Sequence, residues 1–230
     1  MSSTARGARA RARIEVTAAI KEEARRQLAA EGAAKLSLRA VARELGMVSS
    51  ALYRYFPSRD DLLTALIIDA YDSLGASAEA AHAAVADAVP LRRWVAVCEA
   101  VRDWALAHPH EYALIYGSPV PGYSAPRTTV PAAARVGILL IGIVRDAQQG
   151  QTRPVEPPLP AELRSEAERI TADLAPDLSP EVVTVLVAAW SQLYGLVGFE
   201  VFGQFNRLVE ERAPFFRHAV TRLAHGVGLG

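Results

Sequence analysis

The chain has 230 residues, of which 51% are hydrophobic and 22% charged, a composition typical of a soluble globular protein with one or two domains. Its net charge is zero, but residues 1–60 hold 12 lysines and arginines against 6 acidic residues, whereas residues 61–230 hold 13 against 19. The basic N-terminal part therefore favours an anionic partner. A single cysteine, Cys98, excludes an intrachain disulfide and is consistent with a reducing cytoplasm, and the N-terminus lacks the apolar segment of a secretory signal.

Residues 1–13 contain four arginines, no acidic residue and no apolar anchor. We expect a flexible basic arm, which either follows the phosphates and minor groove of DNA or is simply solvated. A helix is predicted from about Arg11 to about Ala30, because apolar residues recur on one face and Gly32 follows.

Residues 37–59 have the spacing of two short helices joined by a tight turn. Ser37 is placed to cap the first helix and Gly46 to end it, and its apolar positions recur at helical intervals: 38, 41, 42 and 45. A second helix is predicted over residues 49–55, since the proline at position 57 disfavours helical geometry in the residue before it. Two short helices around a glycine turn predict a helix-turn-helix.

The outward side of the second helix is small and polar, as a helix that enters a major groove needs to be. Its outward residues are Ser49, Ser50, Tyr53 and Arg54. Ser58 is placed to cap a following helix, with Asp61 at the capping-box position. Arg59 lies in the first turn of that helix, where a cation opposes the helix dipole and favours an external anion such as a phosphate. The alternative interpretation is an ordinary helical hairpin with solvated charges.

The rest of the chain predicts helices and loops, without a β-pattern or an internal repeat, so the expected fold is all-α. Apolar periodicity and the positions of Ser and Pro predict helices that begin at Ser58 and Pro90 and cover 108–117, 132–149, 160–173, 179–203 and the stretch after Pro214. The proline-rich segments 118–131 and 150–160 are expected to be loops. We expect a DNA-binding domain over residues 1–57 and a larger helical domain over residues 58–230.

The segment GMVSSALYRYFPSRDDLLTAL resembles the DNA-binding signature of the TetR family of transcriptional regulators, and the likeness covers about residues 10–66. It depends on the spacing of Ala42 and Gly46 and on five further residues: Leu52, Tyr53, Phe56 and the helix start at Ser58 and Arg59. More weakly, HPHEYALIYG and the stretch from Trp190 to Gly195 resemble family members that carry a tryptophan-glycine motif. The family often has a serine that caps the recognition helix, and this chain has Val48 at that position. The family usually has a lysine at the start of the fourth helix, where this chain has Arg59.

The resemblance implies a cytoplasmic regulator, with no cofactor, that binds a double-stranded DNA operator. It implies phosphate contacts from Arg39, Tyr53 and Arg59, with Lys35 and Ser37 as helpers. It implies base-edge contacts from the following residues: Ser49, Ser50, Ala51 and Arg54, with Tyr55 suited to either role and Val48 to a thymine methyl group.

A homodimer is expected because one short recognition helix reads only a few base pairs, so two half-sites of a palindrome are needed. The dimer surface is sought in the apolar segments 181–203 and 213–226, whose small residues permit close approach: Ala188, Ala189, Gly195 and Gly198. Residues 182–199 carry no charge and reach the lower limit of a membrane-spanning helix, but acidic flanks and internal polar residues favour a protein interface over a membrane.

A small-molecule effector is expected to bind the larger domain, and its candidate wall residues are aromatic: Trp94, Trp104, Tyr112, Tyr116, Tyr123, Trp190, Tyr194 and Phe199. Mostly neutral aromatic walls suggest a hydrophobic or aromatic ligand. Any one of these side chains could equally belong to the core. The family implies that the ligand selects a conformation in which the helix after Ser58 is tilted, which lowers operator affinity.

Two other functions compete. An all-α enzyme would need a catalytic or metal constellation, but the histidines at 82, 108, 110, 218 and 225 lack companions at metal-ligand spacing, and no nucleophile, P-loop or dinucleotide motif occurs. A regulator that binds DNA without a ligand, or that activates transcription, is compatible with the sequence.

Overall fold

The structure is a computed structural model that describes residues 2–148 and 158–230, and the regular secondary structure of these residues is helical throughout. Ten α-helices follow one another along them: α1 (Ser2–Glu31), α2 (Leu38–Glu44), α3 (Ser49–Leu52), α4 (Arg59–Ala83), α5 (Pro90–Ala107), α6 (Pro109–Tyr116), α7 (Val130–Gln148), α8 (Arg164–Leu174), α9 (Pro180–Val201) and α10 (Arg212–Gly226). Short 3₁₀ turns precede three of them, at Ala33–Lys35, Arg127–Thr129 and Ala161–Leu163. The all-α prediction is confirmed.

The chain divides into two compact units that are not consecutive in sequence. Unit 1 comprises Met1–Tyr71 and Pro109–Val130, and unit 2 comprises Asp72–His108 and Pro131–Gly230. The division falls inside α4, which contributes residues to both units. The expected boundary after residue 57 is a different division and stays a prediction.

Unit 1 is built around one apolar cluster that joins α1, α2, α3 and the first half of α4. Its buried members come from each of these elements: Ile20, Ala24, Leu28, Leu36, Leu38, Val41, Ala42, Leu52, Phe56, Leu62, Leu63 and Leu66. The cluster fixes α3 through Leu52, whose side chain is fully buried. The outer side of that short helix is consequently held in one orientation.

Unit 2 is built around α5, α9 and α10, which pack on one another, while α8 packs on α9. The Trp94 indole is fully buried and donates a hydrogen bond to the Val220 carbonyl at 3.1 Å. Arg102 on α5 donates two hydrogen bonds to the buried Glu200 carboxylate on α9, at 2.6 and 2.7 Å. Because a buried charge is costly without a partner, this pair fixes the two helices in register.

Two boundaries differ from the predictions. The expected flexible arm is helical, since α1 begins at Ser2, in a stretch of alanine and arginine that favours helix and contains no proline. Helix α3 ends at Leu52, three residues before the predicted end. The next amides form the tighter i to i−3 hydrogen bonds, in which Arg54 donates to the Ala51 carbonyl and Tyr55 to the Leu52 carbonyl. Most of the expected loop 150–160 lies outside the described residues.

Two helical segments of the described chain are long and apolar enough to cross a membrane by length and composition alone: Arg127–Gln148 and Pro180–Val201. In their most apolar stretches, 33% and 44% of the residues are buried inside the protein. Core helices of soluble proteins have the same properties, so this observation is weak evidence for a membrane segment.

Candidate nucleic-acid interface

The turn between α2 and α3 has the geometry that the sequence predicts. The Ser37 hydroxyl accepts a hydrogen bond from the Ala40 amide at 3.4 Å and caps α2. Gly46 has a φ of 63°, which a residue without a β-carbon adopts at little cost. The Met47 amide then donates to the Ala42 carbonyl at 2.8 Å and closes the turn. The predicted cap and the predicted glycine turn are both confirmed.

The outer side of α3 is exposed, as the sequence predicts. Ser49, Ser50, Tyr53 and Arg54 are all exposed, and Ala51 is half-buried. Val48 precedes the helix with 69% of its surface exposed, and no side chain caps the helix there. An exposed apolar residue beside hydroxyl and guanidinium groups can contact both base edges and thymine methyl groups.

Lys35 and Arg39 are also exposed, one in the turn before α2 and the other on α2 itself. Among the residues that the structure describes, no ion pair engages Lys35, Arg39 or Arg54. Cations without an acidic partner keep their attraction for phosphate, which supplies much of the affinity of DNA-binding proteins.

Arg59, the first residue of α4, is held by the protein's own backbone. Its Nη2 donates to the carbonyls of Ala33 at 2.8 Å and Ala34 at 3.2 Å, and its Nε donates to the Leu36 carbonyl at 3.1 Å. These carbonyls belong to the turn that places α2. Arg59 therefore has a structural role that the sequence did not reveal, and its phosphate contact stays a prediction.

Two further predicted features lie next to this turn. Ser58 and Asp61 form the expected capping box, in which the Ser58 hydroxyl donates to the Asp61 carboxylate at 2.7 Å and accepts from the Asp61 amide at 3.1 Å. Tyr55 is half-buried, packs against the unit 1 cluster and lies with its ring centroid 5.5 Å from the Arg13 guanidinium. Tyr55 thus contributes to the packing of the unit as well as to its surface.

Part of the basic charge of unit 1 is neutralised internally. Asp69 on α4 accepts hydrogen bonds from Lys21 and Arg25 on α1, each at 2.8 Å, and Arg25 also lies 3.2 Å from the Glu111 carboxylate on α6. These cations fasten α1 to its neighbours. A count of charges along the sequence therefore overstates the charge available to DNA.

The eight aromatic residues predicted to line a ligand pocket are divided between the two units. Three belong to unit 1: Tyr112, Tyr116 and Tyr123. Trp94 and Trp104 lie in the core of unit 2, while Trp190 and Phe199 on α9 are exposed and Tyr194 is buried. The Tyr123 hydroxyl lies 2.9 Å from the Thr64 hydroxyl, within hydrogen-bond distance, so this residue joins two parts of unit 1.

Unit 2 contains a cavity of about 580 Å³ between α7, α8 and α9, and Trp190 is the aromatic residue that it shares with the predicted set. Sequence reasoning missed the rest of the lining because, apart from Asp173, it consists of glycine and aliphatic residues at ordinary helical spacing. In the described parts of the chain, no three His, Cys, Asp or Glu side chains lie close enough together to hold a metal ion.

Two known protein families match this chain, one in its N-terminal part and one in its C-terminal part. The family described as "Bacterial regulatory proteins, tetR family" matches residues 20–66, and "Tetracyclin repressor-like, C-terminal domain" matches residues 94–223. HTH-type transcriptional regulators of Mycobacterium bovis and Mycobacterium tuberculosis are 43% identical over 206 residues, which cover 87% of this chain and 86% of each relative.

Solved structures of regulatory proteins superpose on this chain. A crystal structure of a regulatory protein, SCO4313, superposes with a TM-score of 0.77 at 33% identity, over 94% of this chain and 98% of that one. A TetR family transcriptional regulator from Thermus thermophilus superposes with a TM-score of 0.60 over 90% of this chain and 97% of its own, and at 18% identity it shows a common fold alone.

Proposed function

This chain belongs to the TetR family of bacterial transcriptional regulators, and from that premise we propose that it is a repressor that a small molecule releases from a palindromic operator. It is a DNA-binding transcriptional regulator and not an enzyme. The observation that carries the proposal is the exposed outer side of α3 on a rigid core, next to cations without acidic partners. We also propose that it acts in the cytoplasm, and Trp190 and Gly195 on α9 support placing it in the tryptophan-glycine subgroup.

The outer side of α3 is proposed to read the operator. Ser49, Ser50, Ala51 and Arg54 face base edges, and Val48 meets a thymine methyl group. The phosphate contacts come from residues around them: Lys35, Ser37, Arg39, Tyr53, Tyr55 and Arg59. Because Arg59 and Ser37 already bond to the protein, we assign them positioning contacts, while Lys35 and Arg39 supply most of the charge.

A homodimer is proposed through α9 and α10. Along α9, Ala188 and Gly195 are exposed, whereas Ala189 is buried within the chain and cannot contribute to such a surface. Phe199 and Phe215 leave 53% and 40% of their surfaces exposed. Exposed small and aromatic residues on neighbouring helices are typical of an interface that a second copy covers.

The experiment that tests this function is selection of bound duplexes from a random DNA pool, followed by sequencing. We expect an enriched palindrome whose two half-sites are related by a two-fold axis, because each copy of α3 reads one half. Enrichment of a single half-site, or no enrichment over the starting pool, would contradict the proposal. An alternative function, DNA binding without an effector or with activation, predicts the same palindrome but no release by any ligand.

A further inference from the structure

We propose that the cavity between α7, α8 and α9 is the effector site, and that it takes a small aliphatic cation, such as an alkylammonium compound. This inference rests on the proposed release from the operator by a small molecule, and it names the chemical class of that molecule. The cavity measures about 580 Å³, within the range that holds small organic ligands. It lies entirely within unit 2.

The lining of the cavity indicates an aliphatic ligand. Of the thirteen described residues that line it, Trp190 alone is aromatic and Asp173 alone is charged. Ile138 on α7 and Leu174 on α8 line it with 63% and 53% of their surfaces exposed, and Trp190 with 38%. Large apolar side chains left exposed around one concave site gain most when an apolar molecule covers them.

The single acid in the lining indicates a cation. Asp173 has a weak partner, since the nearest nitrogen of Arg169 lies 3.6 Å away. Arg169 is held more closely by Glu166, at 2.5 Å. The Asp173 side chain is 70% exposed and can therefore also accept an ammonium group of a ligand, beside an otherwise apolar lining.

Helix α7, which lines the cavity, also contacts α4. Ala134 and Gly137 on α7 line the cavity, and Arg135 between them binds α4. Its guanidinium donates to the Glu79 carboxylate at 2.7 and 2.9 Å and to the Asp72 carboxylate at 2.9 Å. A ligand that displaces α7 would therefore act on the helix that begins at Arg59.

Two glycines of α7 provide a matched pair of variants. A β-carbon added at Gly137 or at Gly142 meets no atom within 4 Å, so both positions accept a side chain. Gly137 lines the cavity and Gly142 does not. The variant Gly137→Leu fills the cavity, whereas Gly142→Leu adds the same side chain to the same helix outside it. Ala134→Leu is a second filling variant.

The test titrates the purified full-length protein with decylamine, which is cationic at neutral pH, and with the neutral decanol. The amine is kept below its micellar concentration and the alcohol below its solubility limit. Binding is followed by calorimetry and by tryptophan fluorescence. We expect one site per chain, occupied about three- to fivefold more tightly by the amine than by the alcohol. Gly137→Leu and Ala134→Leu weaken binding at least about tenfold, and Gly142→Leu leaves it unchanged.

The role of the Asp173 charge is tested by Asp173→Asn, which is expected to remove the preference for the amine over the alcohol. Glu168→Gln on the same helix is the control and is expected to keep that preference. Equal weakening by both glycine variants, or an unchanged preference in Asp173→Asn, would overturn the proposal. Loss of the dimer in Gly137→Leu, with no amine bound to the wild type, would assign the cavity to a second copy instead. Selection of operator DNA without amine tests the proposed function separately.

Discussion

Arg59 illustrates how one side chain can serve both the fold and the expected interface. Its three hydrogen bonds to backbone carbonyls join the start of α4 to the turn before α2. A charged donor that satisfies several carbonyls contributes more than a neutral hydrogen bond. The effect of removing Arg59 on DNA binding therefore includes an effect on folding.

We predict that Arg59→Ala lowers the free energy of unfolding by about 1–3 kcal/mol, because the three carbonyls lose their donor. Urea denaturation followed by circular dichroism measures this loss. The control is Arg39→Ala, which removes an exposed arginine of α2 and is expected to change stability by less than about 0.5 kcal/mol. Equal stability of Arg59→Ala and wild type would show that the carbonyl contacts are not important for the fold.

His82 on α4 is a second residue with a defined electrostatic setting. Its Nε2 accepts a hydrogen bond from Arg93 at 3.0 Å, and Arg93 in turn donates to Asp146 at 2.8 Å. Burial lowers the pKa of His82 below its ordinary value of 6.5, and the charge of Arg93 lowers it further, while Asp146 acts in the opposite direction. The folded protein therefore favours the neutral imidazole.

This pKa shift predicts a stability that depends on pH. The unfolded chain binds a proton at His82 more readily than the folded chain, so the free energy of unfolding falls as the pH is lowered through 6.5 and below. Denaturation measured at about pH 7.5 and at about pH 5.5 gives the free energy of unfolding at each pH. From the higher to the lower pH, this free energy should fall less for His82→Gln than for wild type. An identical loss in both proteins would refute this role.

At the scale of helices, the crossing of α4 and α7 depends on a glycine. A β-carbon at Gly75 would lie 2.7 Å from the Arg135 Nε and 2.9 Å from its Cβ and Cδ. Arg135 cannot move away freely, because its guanidinium is bound to Asp72 and Glu79. Alanine ordinarily stabilises a helix relative to glycine, but here the contact opposes that gain.

We therefore predict opposite signs for two glycine-to-alanine changes. Gly75→Ala should lower the free energy of unfolding by about 1–3 kcal/mol through overpacking. Gly142→Ala on α7, where a β-carbon meets no atom within 4 Å, should raise it by about 0.5–1 kcal/mol through helix propensity. Thermal denaturation of both variants checks the prediction, and stabilisation by Gly75→Ala would show that Arg135 rearranges at little cost.

Helix positions followed from the sequence where local chemistry decides them. Ser37, Gly46 and the Ser58–Asp61 capping box were predictable, because caps and glycine turns depend on a few neighbouring residues. The carbonyl contacts of Arg59 and the cavity beside Gly137 were not, since they join residues far apart in the chain. The end of α3 was misplaced because the tighter turn at Leu52 carries no distinctive residue.

For the whole molecule, the proposed dimer depends on the exposed side of α9. We predict that Gly195→Glu converts a dimer to a monomer, because it places a charge within the proposed interface. The fold of the single chain should accept this side chain, since a β-carbon at Gly195 meets no atom within 4 Å. Ala172→Glu, on the exposed side of α8, should leave the dimer intact. Analytical ultracentrifugation at micromolar concentration distinguishes these results, and a monomeric wild type would refute the interface.

The central claim is that the outer side of α3 reads DNA while neighbouring groups bind phosphate. It is tested most directly by anisotropy titrations of wild type, Arg54→Ala and Tyr53→Ala against the selected operator, variants of it and unrelated duplexes, at several salt concentrations. We expect salt-sensitive, operator-preferring binding by the wild type, a changed sequence preference for Arg54→Ala and uniformly weaker binding for Tyr53→Ala. Equal affinity of the wild type for all duplexes, or a uniform loss for Arg54→Ala, would contradict the claim.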